Sequence, residues 1–547
     1  MAAIGIVSLV LGIPGTIDAC NHQISSFVNM IQQYAQTDDD AAILKRELEA
    51  RRKSLQAIFV LVSTIGSKLG SEFEREIQDE LSNLHLLLYK GWQRGMDVGL
   101  FETSHGKSLK LLISGKRVIS NLLDECEKWE TIIHRRLNVI WMTKSIDFIS
   151  QETRNTMPRL GKFNDVRGHD TRINVQWDLS NISPGPLPSS WIYYQNSTDT
   201  SSDNLVEFRE YDKDILLDST KFEEIENAVA EVGRLLQTAD ARLMSVLQCI
   251  AYWHDKKLNR FPFVYAIPTG LTHPNTLREL LTSKLNRTSK RTLVEIFNQS
   301  VTEHVTPSFE QVLRIARQEE HIRFPLNHRL RLATKLAASL SYIHSAQFVH
   351  KHLNPENIVV FSAKNDQTFP YVLGYPFLLG FDRTRTQHAW SSGYGETDMA
   401  DCIYHHPDRW GRVTGIRFSM LHDAYSLGVV LLEVGLWKSL VFWVPPEIGI
   451  SQQRYISWGR IRKMFDENTG QLKPNFSPTH VQNELINFAK RELPPIMGEG
   501  YTQVVLACLS GSFDKENIQA NEVFDDGGVG VLYMKHVVSK LEKLVLD

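Results

Sequence analysis

Cysteine is scarce in this chain: five residues in 547, at positions 20, 126, 249, 402 and 508, none in a CxxC pair or at a spacing that reads as a disulfide framework. That excludes a small disulfide-stapled fold and fits a reducing compartment, so the expected location is inside the cell, in the cytoplasm. Charge of one sign is also lacking. The formal net charge is −3 and there is no basic stripe, which argues against nucleic acid as a partner. A long hydrophobic run is missing too. Met1 to Ile17 carries no charged side chain, but Gly5, Gly12, Pro14 and Gly15 interrupt it and no basic residue precedes it. It is shorter than the roughly 20 apolar residues that span a bilayer and lacks the form of a cleaved signal. Two readings stay open for it: a buried first helix plus turn, or a segment that enters an apolar phase through Ile4, Ile6, Val7, Leu9, Val10 and Leu11.

What is present is an ordinary globular composition, 42% apolar and 22% charged, in a chain long enough for at least two cores. From Asp38 to about Met142 apolar residues recur at helical spacing. Ile43, Leu44, Leu48, Leu55, Ile58, Phe59, Val62, Ile65 and Leu69 form one stripe, Phe73 to Trp92 a second, and Leu109 to Ile140 a third. Helices of that kind joined by short loops bury their stripes against one another, so residues 1–155 are expected to form an all-α helical bundle. Between 156 and 204 periodicity gives way to turn chemistry, as in SPGPLPSS (Ser183 to Ser190), and the segment reads as a linker. Short β-branched and aromatic runs then alternate with helical ones, which makes residues 205–547 a mixed α+β unit.

The chemistry is concentrated in FVHKHLNPENIVV, Phe348 to Val360, which follows an amphipathic helix, Leu326 to His344. A protein kinase carries H-R-D-x-x-x-x-N at such a place. The Asp accepts the substrate hydroxyl proton and the Asn, five residues on, holds magnesium. Here His350, Lys351 and His352 stand for the first three, and Pro355, Glu356 and Asn357 complete the loop. Downstream, LLGFDRTR (Leu378 to Arg385) resembles the metal-binding D-F-G segment, with Gly380 at the Asp position and Phe381 at the Phe. Pro407 and Asp408 resemble the end of the activation segment. His422 to Val434 resembles the D-x-W-S-x-G helix, with Asp423 placed to buttress the loop and Gly428 at its glycine. The ordered set resembles a bilobal protein-kinase-like domain, N-lobe about 205–270 and C-lobe about 271–547.

The same positions lack the acids that phosphoryl transfer needs. His352 replaces the general base, and Gly380 offers no oxygen to magnesium. No G-x-G-x-x-G stands upstream. The strand resembling V-A-I-K is LVEFREY, with Arg209 at the lysine and Glu224, Glu226 and Glu231 as its candidate partners. Arg209 and Asn357 remain candidate nucleotide contacts, although Asn357 has a competing role as a backbone brace. Asp382, two residues after Gly380, is a poor substitute ligand because its side chain points elsewhere. His344, His350, His352, His405 and His406 lack a matched carboxylate set, so no metal site is expected. A pseudokinase needing no cofactor follows. ATP is expected to be bound, if at all, without turnover, and a divergent active Ser/Thr-type kinase and a scaffold with no membrane role are the alternatives.

With both halves assembled, the chain resembles fungal proteins that place a HeLo domain, known from the HET-S prion-incompatibility system, before a kinase-like domain. The likeness rests on the uncharged opening with Gly12, Ile13, Pro14 and Gly15, on Ile17, Asp18 and Ala19, and on the helical stripes to about Met142. It implies a helical bundle that becomes membrane-active when triggered, with the opening segment inserting, and a plan similar to the mixed-lineage kinase-domain-like effector of necroptosis. The expected partners are therefore membrane lipid, further copies of the chain on activation and an upstream sensor protein. The expected role is a signal-gated cell-death or heterokaryon-incompatibility effector that reaches the plasma membrane on activation.

Overall fold

A computed structural model of the chain describes residues 2–32, 39–65, 71–97, 109–142, 191–194, 204–282, 324–363, 372–386, 399–410, 417–443, 454–456, 458–466, 471–513 and 526–545. The chain divides into two compact units, Met1–Asp165 and Val166–Asp547. The expected boundary at residue 155 lies outside the described residues.

Among the described residues of the first unit are four long helices, α1 (Ala2–Gln32), α2 (Asp39–Ile65), α3 (Ser71–Asp97) and α4 (Leu109–Met142). Helix α1 packs on α2 and α3, and α4 packs on the same two. The stripes read from the sequence supply the core, in which Leu48, Leu55, Ile58, Phe59 and Val62 from α2, Ile77, Leu81, Leu84 and Leu88 from α3 and Ile119, Leu122, Trp129 and Ile133 from α4 are all buried. Ile43, assigned to the α2 stripe, is instead 47% exposed, because the stripe begins only one turn later at Leu48. Leu69 lies outside the described residues. Helix α1 is broken at Gly12, whose φ of 63° lies in the left-handed region. A new helical run starts there, with Pro14 tolerated in its first turn and the Thr16 hydroxyl bonded to the Gly12 carbonyl at 2.8 Å. Ile4, Ile6, Val7, Leu9, Val10 and Leu11 all fall on the short run before the break. Among the described residues no helix is long and apolar enough to cross a membrane.

The second unit opens with a four-stranded antiparallel sheet in the order β1 (Trp191–Tyr194), β2 (Asn204–Glu210), β4 (Arg260–Ala266), β3 (Cys249–Tyr252). Strand β1 comes from inside the stretch read as a linker, which corrects that reading. Its WIYY pairs with β2 from Trp191 opposite Glu207 to Tyr194 opposite Asn204. The rest of 156–204, apart from Asn204, lies outside the described residues. Helix α5 (Ser219–Gln237) follows β2, capped by the Asp218 carboxylate, and buries Val229, Val232, Leu235 and Leu236.

After β5 (Leu271–Thr276) and α6 (Leu277–Thr282) the unit becomes helical. Helix α7 (Leu326–Ser345) and helix α8 (Met420–Leu436) are buried along nearly their whole length. Between them in sequence run β6 (Phe348–Val349), β7 (Ile358–Ala363), β8 (Tyr375–Leu378) and β9 (Arg385–Thr386), with β5, β7 and β8 in one small sheet and β6 paired to β9. Helices α9 (Pro478–Glu492) and α10 (Pro494–Ser510) lie beyond them, and α10 packs on α8. Gly428 makes that approach feasible, since a Cβ there would sit 2.8 Å from the Cys508 Cβ. The chain ends in α11 (Asp526–Tyr533), a wide turn Met534–Val538 and α12 (Ser539–Val545), with the Tyr533 hydroxyl bonded to the Ala337 carbonyl of α7 at 2.9 Å. Helices α7 and α8 form the floor on which the His350–Asn357 loop is laid.

Candidate functional site

The loop hangs on Asp423, in the first turn of α8 and fully buried. One carboxylate oxygen accepts the His350 N–H at 2.8 Å and lies 2.9 Å from His344 Nε2, while the other accepts the Lys351 N–H at 2.8 Å. Burial alone would raise its pKa, but the bonds from His344 and the loop backbone outweigh it and hold the group below the usual carboxylate range. This anchorage keeps Lys351 at φ +70°, a left-handed conformation costing a non-glycine residue on the order of 1–3 kcal/mol. The His350 ring is buried edge-on to Phe381. It donates from Nε2 to the Leu379 carbonyl at 2.8 Å and accepts the His352 N–H at Nδ1, 3.3 Å. Those partners fix a neutral tautomer, in keeping with burial pushing its pKa down to about 4.

At the position where a kinase carries its metal-binding Asp, a side chain would run into Asn357. Gly380 sits at φ +85°, and a Cβ on it would lie 2.5 Å from Asn357 Nδ2. The Asn357 amide donates to the His352 carbonyl at 2.8 Å, and its own N–H is capped by Asn354 at 3.0 Å. It therefore braces the loop backbone. Asp382 turns to His352, with Oδ1 2.9 Å from Nδ1. Burial would raise the Asp382 pKa, but His352, Arg383 and Arg209 outweigh it and lower it.

The strand above holds a residue the sequence reading passed over. Glu207 on β2 is fully buried, accepts the Asp382 N–H at 3.1 Å, and shares a 2.9 Å hydrogen bond with the Tyr265 hydroxyl of β4. Burial, then the neighbouring Asp382 charge, raises its pKa to about 8. Glu207 and Arg209 share a strand face by the two-residue period. It is Glu207 that reaches the Gly380–Asp382 segment. Arg209 is half-buried with its Nη1 atom buried and lacking a hydrogen-bond partner, and its pKa is lowered by burial against the pull of Asp382. The expectation that Glu224, Glu226 or Glu231 pairs with it fails among the described residues: no ion pair joins them, and Glu224 and Glu226 are exposed on α5. Lys351, beside this face, is driven down to about 7 by burial and then by Arg385, Arg409, Arg383 and Arg209.

Glu356 and Pro355 form a single helical turn at the end of the loop. Glu356 takes a two-pronged bond from Arg278 of α6, at 2.9 and 3.1 Å. The same guanidinium reaches Glu433 of α8 at 2.9 Å and the Tyr404 hydroxyl at 2.6 Å, all three groups being deeply placed. Arg278, Glu433 and Tyr404 were not singled out from the sequence, because only the fold brings α6 to α8. Pro407 and Asp408 lie on the turn Pro407–Arg409, with Asp408 exposed.

No family model matches the chain. It is similar to a receptor protein kinase-like protein of Arabidopsis thaliana, 34% identical over 120 residues covering 22% of this chain and 14% of that one. It is also similar to the LEAF RUST 10 disease-resistance locus receptor-like protein kinase-like 1.2 of the same plant, 23% identical over 180 residues, 33% of this chain and 24% of the relative. A third relative, the eIF-2-alpha kinase GCN2 of Schizosaccharomyces pombe, is 25% identical over 115 residues, 20% of this chain and 7% of the relative. The chain thus spans less than a quarter of the length of each. Among solved structures, the CAK complex of Chaetomium thermophilum bound to ATP-gamma-S matches at 12% identity and TM-score 0.29, over 58% of this chain and 85% of that one. Vaccinia related kinase 3 matches at 13% and 0.31, over 65% and 92%. At those scores the structural likeness carries no weight. The sequence relatives and the ordered loop, brace and helix together define a protein-kinase-like domain.

Proposed function

We propose that the kinase-like domain is a pseudokinase that regulates the helical first unit and transfers no phosphate. The observation that carries this reading is the packing of Asn357 against Gly380, which leaves no room for a metal-binding carboxylate at that position. Loss of either the base or the metal seat lowers phosphoryl transfer by about 10³-fold or more. Nucleotide, if bound, is held through Arg209 and without magnesium.

The resemblance of the first unit to HeLo domains extends the reading. The domain then acts as sensor or clamp, and the helical unit, with its short apolar run before Gly12, is the membrane-perturbing effector of a cell-death or incompatibility response, assembling in several copies on activation. The full chain incubated with magnesium, ATP and a generic protein substrate is expected to transfer no phosphate. Magnesium-dependent transfer abolished by Asn357→Ala overturns the pseudokinase reading. Leakage of liposomes by the activated chain, lost in Ile6→Asp, tests the effector role, and equal leakage by the variant overturns it.

One observation favours the runner-up, a divergent active kinase. Asp382 bonded to Nδ1 orients the His352 imidazole and leaves Nε2 free to take a proton at the base position. The phosphate-transfer assay separates the two.

A further inference from the structure

The sheet face that looks onto the loop carries more than Glu207. Trp191 of β1 lies directly opposite Glu207 of β2 in the antiparallel register, so the two side chains leave the sheet on the same face. Glu207 reaches the Asp382 N–H. The Trp191 indole reaches the last turn of the loop, where Nε1 points at the Glu356 carbonyl at 3.5 Å, the outer limit of a hydrogen bond. Only 8% of Trp191 is exposed. A side chain able to bury on the order of 150–250 Å² is therefore enclosed between sheet and loop. In a protein kinase that space belongs to the nucleotide, whose phosphates and magnesium are held by a strand lysine on one side and the loop asparagine on the other, under a glycine-rich cover. Here the strand beside β2 brings an indole instead. Among the described residues β1 is an edge strand of four residues that pairs with β2 alone. Its departure would leave the β2–β4 and β3–β4 ladders whole.

On the reading of the domain as a pseudokinase, on which this rests, we propose that Trp191 fills the nucleotide seat and that β1 is a strap: a purine nucleotide enters only when the strand and its indole lift away. The flat apolar indole stands in for the flat base. Affinity measured on the native chain is then the intrinsic affinity scaled down by the fraction of molecules whose strap is open. The coupling runs both ways. Bound nucleotide holds β1 off the loop, and whatever frees β1 admits nucleotide. Strand β1 is also the first described element after the helical unit, so the chain leaving that unit enters the second through the strap.

The test is equilibrium binding of ATP to the full chain in the presence of a chelator, so that magnesium plays no part. Trp191→Ala, its folding checked by cooperative unfolding, should bind ATP at least roughly 10-fold more tightly than the native chain, because no side chain is left to compete for the seat. Trp191→Phe, which refills the seat with a ring, should stay closer to the native chain than to Trp191→Ala. If the alanine chain does not fold, Trp191→Leu, smaller and still apolar, gives the same comparison. In the native chain labelled with 5-fluorotryptophan, the Trp191 fluorine signal, assigned through Trp191→Phe, should move toward that of a solvent-exposed tryptophan as ATP saturates. Unchanged ATP affinity in the folded alanine or leucine variant, or saturation of the native chain with the Trp191 signal unmoved, overturns the inference. Phosphate transfer by Trp191→Ala on adding magnesium would leave the strap standing and overturn the pseudokinase reading instead, so the two fail separately.

Discussion

The two ends of the His350–Asn357 loop contrast. At the Asp423 end the groups that hold the loop are in place: a buried carboxylate, two backbone N–H donors and the His344 Nε2. At the Gly380 end the groups that do chemistry are exchanged, with Asn357 occupying the room of a missing side chain, Glu207 buried in the wall, and Asp382 spent on His352. On the proposed reading, the fold keeps the apparatus that shapes the loop without the charges that phosphoryl transfer needs. The first is a requirement of folding, because buried donors without acceptors are costly. The second is not.

That contrast is open to direct attack by substitution. The largest effect belongs to the scaffold. Arg278→Ala strands Glu433 in the core and frees Glu356, and should cost about 3–5 kcal/mol in denaturant unfolding. Restoring part of that loss with Glu433→Gln in the same chain would show the charge, rather than the packing, to be responsible. Asp423→Asn keeps one acceptor oxygen but places an amide against a backbone donor, for an expected loss of about 2–3 kcal/mol. An unchanged midpoint would remove Asp423 from the scaffold.

At the exchanged end effects are smaller. Gly380→Asp, which reinstates the acid, should destabilise by about 1–3 kcal/mol through its left-handed φ and its collision with Asn357, and should bring back no phosphate transfer. The smallest effect is at Glu207. Its folded pKa, about 8, lies above the ordinary glutamate value of 4.5, so its contribution is fully present at low pH and declines as pH rises from about 4.5 through about 8. Glu207→Gln, which cannot ionise, should flatten that decline, and midpoints compared across this range give the sign. A parallel decline in the variant would assign the pH dependence to another group.

Much of this was legible beforehand because kinase motifs are specific in order as well as in letters. The loop, Asp423, Phe381 and helix Leu326–Ser345 are local patterns, readable one element at a time. What escaped depends on register and on contacts distant in sequence. Whether Glu207 or Arg209 meets Asp382 is decided by how β2 is laid over the loop, and both positions share a face. Arg278 and Glu433 are 155 residues apart, and no local pattern announces their bond. His406 and His422 meet only because the Pro407–Arg409 turn folds back onto α8. Strand β1 was hidden by its surroundings, since four residues of WIYY follow a run of prolines and serines.

The most direct test of the account is the magnesium dependence of nucleotide binding by the full chain, read as the change in melting temperature on adding ATP with and without magnesium. With Asn357 committed to the His352 carbonyl and no acid at Gly380, any stabilisation by ATP should be the same in the presence of magnesium or of a chelator. Stabilisation that requires magnesium and is lost in Asn357→Ala would mean that the loop still holds a metal, and would contradict the claim that its chemistry has been given up.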